Sequence, residues 1–190
     1  MISAILLAAG QSKRMNGINK LTKEIQGIPL IKLSVNNILA SSINELIIVL
    51  GYQKEIIEKL IDKNEKIKFV FNKDYESGMA SSIKTGLNNL SEKTEAFFIC
   101  LGDMPMGNSD IYNQLIKSRN QKDIIVPTYK SQQGNPVLFD KLMKEKVIDI
   151  LGDVGAKKIL ERNKDKIFNL EINDQSIIKG FNTQGDFNSL

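Results

Sequence analysis

ISAILLAAGQSKRM, residues 2–15, begins as an apolar run and breaks into small residues followed by a lysine and an arginine. Its first half has the near-continuous hydrophobicity that a parallel strand covered on both faces requires. The turn that follows decides the fold. In a doubly wound sheet, ligands bind beyond the carboxyl ends of the strands, and the segment after the first strand is the usual phosphate site. Ala8, Ala9, Gly10 and Ser12 are small, so the backbone there can approach a ligand and turn its amides toward an anion. Lys13, Arg14 and Lys20 add positive charge around the same loop. The segment follows neither the P-loop pattern GxxxxGK nor the dinucleotide pattern GxGxxG. Taken alone, it reads equally well as a nucleotide loop or as plain strand-to-loop geometry.

Working outward, further apolar clusters rich in β-branched residues recur as ELIIVLG, IKFVF, EAFFICLG and DIIVP. Between them lie helical patterns: PLIKLSVNNILAS with Pro29 near its start, KEIIEKLIDK, MASSIKTGLNNL, and SDIYNQLIKSR with Ser109 as candidate N-cap. This alternation predicts an α/β fold, a doubly wound and mostly parallel sheet of Rossmann type. From Thr128 the rhythm changes to a polar turn, a short PVLF, the helical stretches DKLMKEKVIDIL and GAKKILERN, and then IFNLEI and SIIKG. That change predicts a small antiparallel addition in the C-terminal third.

The chain has 190 residues, which suits one compact domain over residues 1–190 able to bury a full core without disulfides or metal staples. Its 26 Lys and Arg against 22 Asp and Glu give a net charge of +4, but only Arg14, Arg119 and Arg162 are arginines. A lysine-rich surface with no basic stripe reads as a solvated exterior rather than a nucleic-acid face. Cys100, the sole cysteine, lies inside an apolar run and fits a small hydrophobe within a strand. No signal-type N-terminus and no membrane-spanning apolar run is present, so a cytoplasmic protein without membrane contact is expected. The absence of histidine removes the commonest general base and argues against serine-protease and histidine-zinc chemistry.

LLAAGQSKRM followed by NKL resembles the signature of the MobA-like nucleotidyltransferases: LAAG or LAGG, a short polar loop, Arg-Met, and a Lys a few residues on. Four more segments fall in that family's order. GMASSI (78–83) resembles the segment that closes over base and ribose, and GDMP (102–105) the metal-binding strand end. QGNPVLF (133–139) with GDVGAKKIL (152–160) resembles the stretch that distinguishes molybdopterin cytidylyltransferases. FNTQGDF (181–187) resembles the terminal DIDTPEDL. Three departures stand out: Asn135 where His is usual, Gln184-Gly185 in place of Pro-Glu, and Asn182 where Asp is common.

The resemblance implies transfer of CMP from CTP, or of GMP from GTP, to a molybdopterin-type acceptor. Pyrophosphate is released with Mg²⁺, and a molybdenum hydroxylase receives the product. It places the nucleotide against Leu7, Ala8, Ala9, Gly10, Ser12, Arg14, Lys20, Gly78, Ser81, Ser82 and Asp103. Arg14, Lys20 and Asp103 become the catalytic set. Asp103 and Asn182 become the metal ligands, and Gly134, Asn135, Pro136, Gly152, Asp153 and Gly155 the acceptor site. Each position has a plainer reading. Asp103 suits a turn, Asn182 and Ser81 or Ser82 suit helix caps, Gly134 and Pro136 suit a turn, and Asp153 suits an N-cap. The same loop and acid would serve transfer to a sugar or polyol phosphate, and a non-catalytic molybdopterin carrier is the alternative of a different class.

Overall fold

The computed structural model describes residues 1–15, 17–149 and 157–188. Strand β1 is Ile2–Ala8; a short hairpin of β2 (Glu24–Ile25) and β3 (Ile28–Pro29) leads into helix α1 (Leu30–Leu39). The alternation then runs β4 (Glu45–Leu50), α2 (Lys54–Lys59), β5 (Ile67–Phe71), α3 (Met79–Asn88), β6 (Ala96–Leu101) and α4 (Ser109–Lys117). The remainder holds β7 (Ile124–Tyr129), β8 (Gln132–Gln133), β9 (Val137–Asp140), α5 (Lys144–Ile148), α6 (Lys157–Arg162), β10 (Ile167–Glu171) and α7 (Gln184–Asn188).

The main sheet has the order β10-β7-β9-β6-β1-β4-β5, with β8 paired to β7. β1 is parallel to both neighbours, β4 and β6. Successive strands go first to one side of β1 and then, through α3, to the other, so the order reverses at β1. The crevice of a doubly wound sheet opens at such a switch point. The expected antiparallel strand is β9, which lies within the sheet between β6 and β7. IFNLE becomes β10, parallel to β7 at the edge.

Alternation along each strand divides the core into two layers. Ala4, Leu6, Leu46, Ile48, Phe98 and Cys100 meet α1 and α4 on one face, through residues such as Ile31, Val35 and Leu115. Ile5, Ile47, Val49, Phe97 and Ile99 meet α3, α5 and α6 on the other, through Ile83, Leu87, Val147 and Ile159. Phe97 stacks on Phe139 across the β6–β9 pair at 5.5 Å, and Phe98 meets Tyr112 edge-on at 5.3 Å. Each aromatic pair contributes roughly 0.5–1.5 kcal/mol beyond the area it buries. Burial pushes the Cys100 thiol up to about 12, so it packs as an inert apolar group.

Two local expectations are corrected. The N-cap of α4 is Asn108, whose side chain accepts from the N–H groups of Asp110 and Ile111; Ser109 is the first helical residue. SIIKG is not a strand: Gln175–Ile178 is a 3₁₀ turn capped by Asp174. No helix among the described residues is long and apolar enough to cross a membrane.

Candidate active site

β1 ends at Ala8, and the loop after it folds back on itself. Ser12 adopts a left-handed backbone, with φ of 53°. Its Oγ accepts the backbone N–H of Lys20 at 3.1 Å. Lys20 opens a 3₁₀ turn capped from its other side by Asn19, whose Oδ1 accepts from Leu21 N–H at 3.1 Å. Buried Leu21 anchors that turn in the core. The backbone of Lys20 is thus held from two directions while its ammonium group extends to the strand ends.

Asp103 comes to the same place from β6. Gly102 before it permits the approach, since a Cβ there would lie 2.9 Å from the Leu7 carbonyl oxygen. Lys20 Nζ donates to Asp103 Oδ2 in an ion pair that is largely shielded from solvent. The Asp103 carbonyl accepts from Phe181 N–H at 2.8 Å, which delivers the C-terminal segment to the site. Asn182 Oδ1 then accepts from Lys20 Nζ at 3.0 Å and from Arg14 Nη2 at 3.1 Å. Four residues singled out in the sequence, Arg14, Lys20, Asp103 and Asn182, therefore meet.

A cavity of about 290 Å³ opens beside this cluster. Leu7, Ala9, Gly10, Ser12, Lys20, Gly78, Ser82 and Asp103 line it, with Gln11, Lys13, Tyr75, Glu76 and Met79 among the other walls, while Arg14 and Asn182 stand outside the lining. Ala8 points instead into the layer under α1. Gly78, with φ of 110°, turns the chain into α3, and Asn72 fastens the start of that helix by donating to Ser81 Oγ at 2.8 Å and Ser82 Oγ at 3.0 Å. The Ser81 hydroxyl also lies 2.8 Å from Gly78 O and 2.9 Å from Asp74 O, so it is engaged within its own loop, outside the cavity lining.

Gly134, Asn135 and Pro136 are outside the cavity lining too. A Cβ at Gly134 would lie 2.5 Å from Ile177 O, and Asn135 N–H donates to that same oxygen at 2.8 Å. The segment thereby braces the turn that leads to Asn182. Gly152, Asp153 and Gly155 lie outside the described residues.

Several participants were not read from the sequence. Gln11 Nε2 donates to Glu76 Oε1 at 2.9 Å and ties the loop after β1 to the turn before α3, a pairing across 65 residues that no local pattern announces. Asn72 is another. Asp186 is a third, although Thr183 followed three residues later by an acid has the spacing of a capping box. Hydrogen bonds from Asn182 N–H, Thr183 N–H and the Thr183 hydroxyl hold the Asp186 carboxyl below the usual carboxylate range, with help from the nearby Arg14 charge.

The donor set suits a hard divalent cation. Asp103 Oδ2 and Asn182 Oδ1 already converge on one cationic group, the Lys20 ammonium. Such ions take oxygen ligands, and Mg²⁺ needs only one or two from protein when phosphates and waters complete the shell. Among the described residues no group of three or more His, Cys, Asp and Glu side chains is gathered to cage a metal alone.

A small-residue loop, two cations and an acid meet at the switch point of a doubly wound sheet, where such sheets bind their ligands. Solved structures agree on the fold. Rv0371c from Mycobacterium tuberculosis superposes with a TM-score of 0.88 at 20% identity, covering 99% of this chain and 96% of that one. A nucleotidyl transferase from Methanothermobacter does so with 0.86 at 16% identity, over 100% and 95%. The sequence profile of the MobA-like NTP transferase domain matches residues 4–167, and the chain belongs to that family. Among curated relatives, a probable molybdenum cofactor guanylyltransferase of Methanosarcina acetivorans is 30% identical over 152 residues, 78% of this chain and 66% of that protein. The molybdenum cofactor cytidylyltransferase of Escherichia coli K12 is 27% identical over 186 residues, 98% and 93%. The bifunctional protein GlmU of Thermosipho africanus is 28% identical, but the chain spans only 35% of its length.

Proposed function

We propose that this chain transfers CMP from CTP to the terminal phosphate of a molybdopterin-type acceptor and releases pyrophosphate, with Mg²⁺ held by Asp103 and Asn182. The observation that carries the reading is the meeting of Arg14, Lys20, Asp103 and Asn182 beside a cavity lined by Gly10, Ser12, Gly78 and Ser82. The near full-length likeness to a cytidylyltransferase supports the base and the acceptor.

In this mechanism, backbone amides of the loop after β1 and the Arg14 and Lys20 side chains hold the β and γ phosphates. Lys20 offsets charge that grows on the leaving pyrophosphate. The divalent cation supplies charge neutralisation at the phosphates when bound. The acceptor phosphate is already anionic near neutral pH, so in-line attack at the α-phosphorus needs no general base. Catalysis is then positioning and electrostatics, as in other phosphoryl chemistry. A GTP-using reaction is the second reading, favoured by the 30% identical guanylyltransferase relative.

The test is pyrophosphate release with CTP, GTP, UTP and ATP in turn, with Mg²⁺ and molybdopterin, and Asp103→Ala as control. Release with CTP that D103A abolishes is the expected result. Preference for GTP replaces the base assignment and keeps the mechanism. Undiminished turnover by D103A overturns the metal assignment, and silence with all four overturns the acceptor.

A further inference from the structure

Asp186 makes more bonds than its helix needs. A single carboxylate oxygen, Oδ2, accepts from Asn182 N–H at 2.7 Å, Thr183 N–H at 2.7 Å and Thr183 Oγ1 at 3.0 Å. Capping α7, only five residues long, calls for the Thr183 contacts but not for the bond to Asn182. That extra bond falls on the residue whose amide oxygen receives both Arg14 and Lys20. An amide oxygen has two lone pairs, and here each one orients a cation. Upstream, Asn182 is fixed by Phe181, which is fully buried, donates its N–H to Asp103 O and packs its ring 5.1 Å from that of Phe187. Downstream, the carboxylate of Asp186 does the fixing.

We propose that Asp186 is a positioning residue for the phosphate-binding cations: by holding the backbone of Asn182 it places the amide oxygen that aligns Arg14 and Lys20. It touches no substrate; it acts through the backbone of Asn182, and its charge also lies near Arg14. The proposal rests on the reading of this site as a triphosphate site. Groups that orient ligand-contacting residues typically account for 10- to 100-fold in affinity or activity. A residue that merely capped α7 would affect every ligand alike.

The experiment measures binding of the triphosphate that the wild type prefers, and of its monophosphate, to wild type, D186A, D186N, N182A and N182A/D186A, with circular dichroism as the folding control. Triphosphate affinity is expected to fall roughly 10- to 100-fold in D186A while monophosphate affinity stays unchanged. D186N keeps one acceptor oxygen and is expected to restore most of the loss. Adding D186A to N182A should cost less than D186A costs alone, because the effect of Asp186 runs through Asn182. Equal weakening of both nucleotides, or additive losses in the double variant, overturns the proposal. If D186A does not fold, D186N decides: a small loss confined to the triphosphate supports the proposal, and no loss or an equal loss on both overturns it. A wild type that binds triphosphate no better than monophosphate overturns the site reading and this proposal together. Undiminished triphosphate preference in D186A overturns the proposal alone.

Discussion

Lys20 donates to two partners at once, Asp103 and Asn182. Its pairing with Asp103 withdraws two charges from water, a cost repaid only while both stay satisfied, and the added bond to Asn182 helps to satisfy it. In the proposed reaction the same ammonium group offsets charge on the leaving pyrophosphate. Lys20→Ala is therefore expected to lower kcat by about 10²- to 10³-fold, the cost of losing one donor aimed at developing charge. Steady-state rates on the folded variant check this, and an unchanged kcat would make Lys20 a purely structural partner of Asp103. At this scale the sequence was informative about which residues gather: Asp103 follows the end of β6, and Lys20 stands in the loop region after β1. It was silent where the task depends on a partner far along the chain. Gln11 with Glu76 is one case; Ser81, drawn into its own loop by Asn72, is another.

α3 lies so close to β1 that no side chain fits between them at one point. A Cβ on Gly86 would stand 2.3 Å from Ile5 Cγ2, and Ile5 is fully buried. Gly86→Ala must therefore push the helix away from the strand, which costs about 1–3 kcal/mol as core overpacking even after the gain in helix propensity. Urea unfolding followed by circular dichroism measures it, and a stability equal to the wild type's would show that the layer yields freely. The strands themselves were legible because burial on both faces writes uninterrupted β-branched runs. Shorter elements were not. The β2–β3 hairpin has two residues per strand, too few for a period to show. SIIKG has strand-like composition, yet the contact of Ile177 O with Asn135 N–H and the Asp174 cap bend it into a turn.

Among the described residues the main sheet lies between two helical layers, and β10 forms one of its edges. Glu171 there accepts from the Thr128 hydroxyl at 2.7 Å and from Lys130 N–H at 2.8 Å, which hold its carboxyl below the ordinary glutamate range. A depressed folded value means that the ionised form is favoured by folding, so the contribution is fully present above the unfolded value of about 4.3 and is lost as pH falls through the folded one. Glu171→Gln, which lacks that charge, is expected to be less stable than wild type at pH 7 and to converge with it in acid. Unfolding midpoints measured from pH 7 down to pH 3 test the sign; parallel curves would remove Glu171 from the acid response.

The order in which the parts are made adds a last consequence. β1 is flanked by β4 and β6, which follow about forty and ninety residues later in the chain. Arg14 and Lys20 precede by 168 and 162 positions the amide oxygen that orients them. At about 5–20 residues per second, a growing chain carries the loop after β1 for roughly 10–30 s before Asn182 exists. For the first part of that interval ISAILLA is an unpaired apolar strand, until β4 and then β6 have been made.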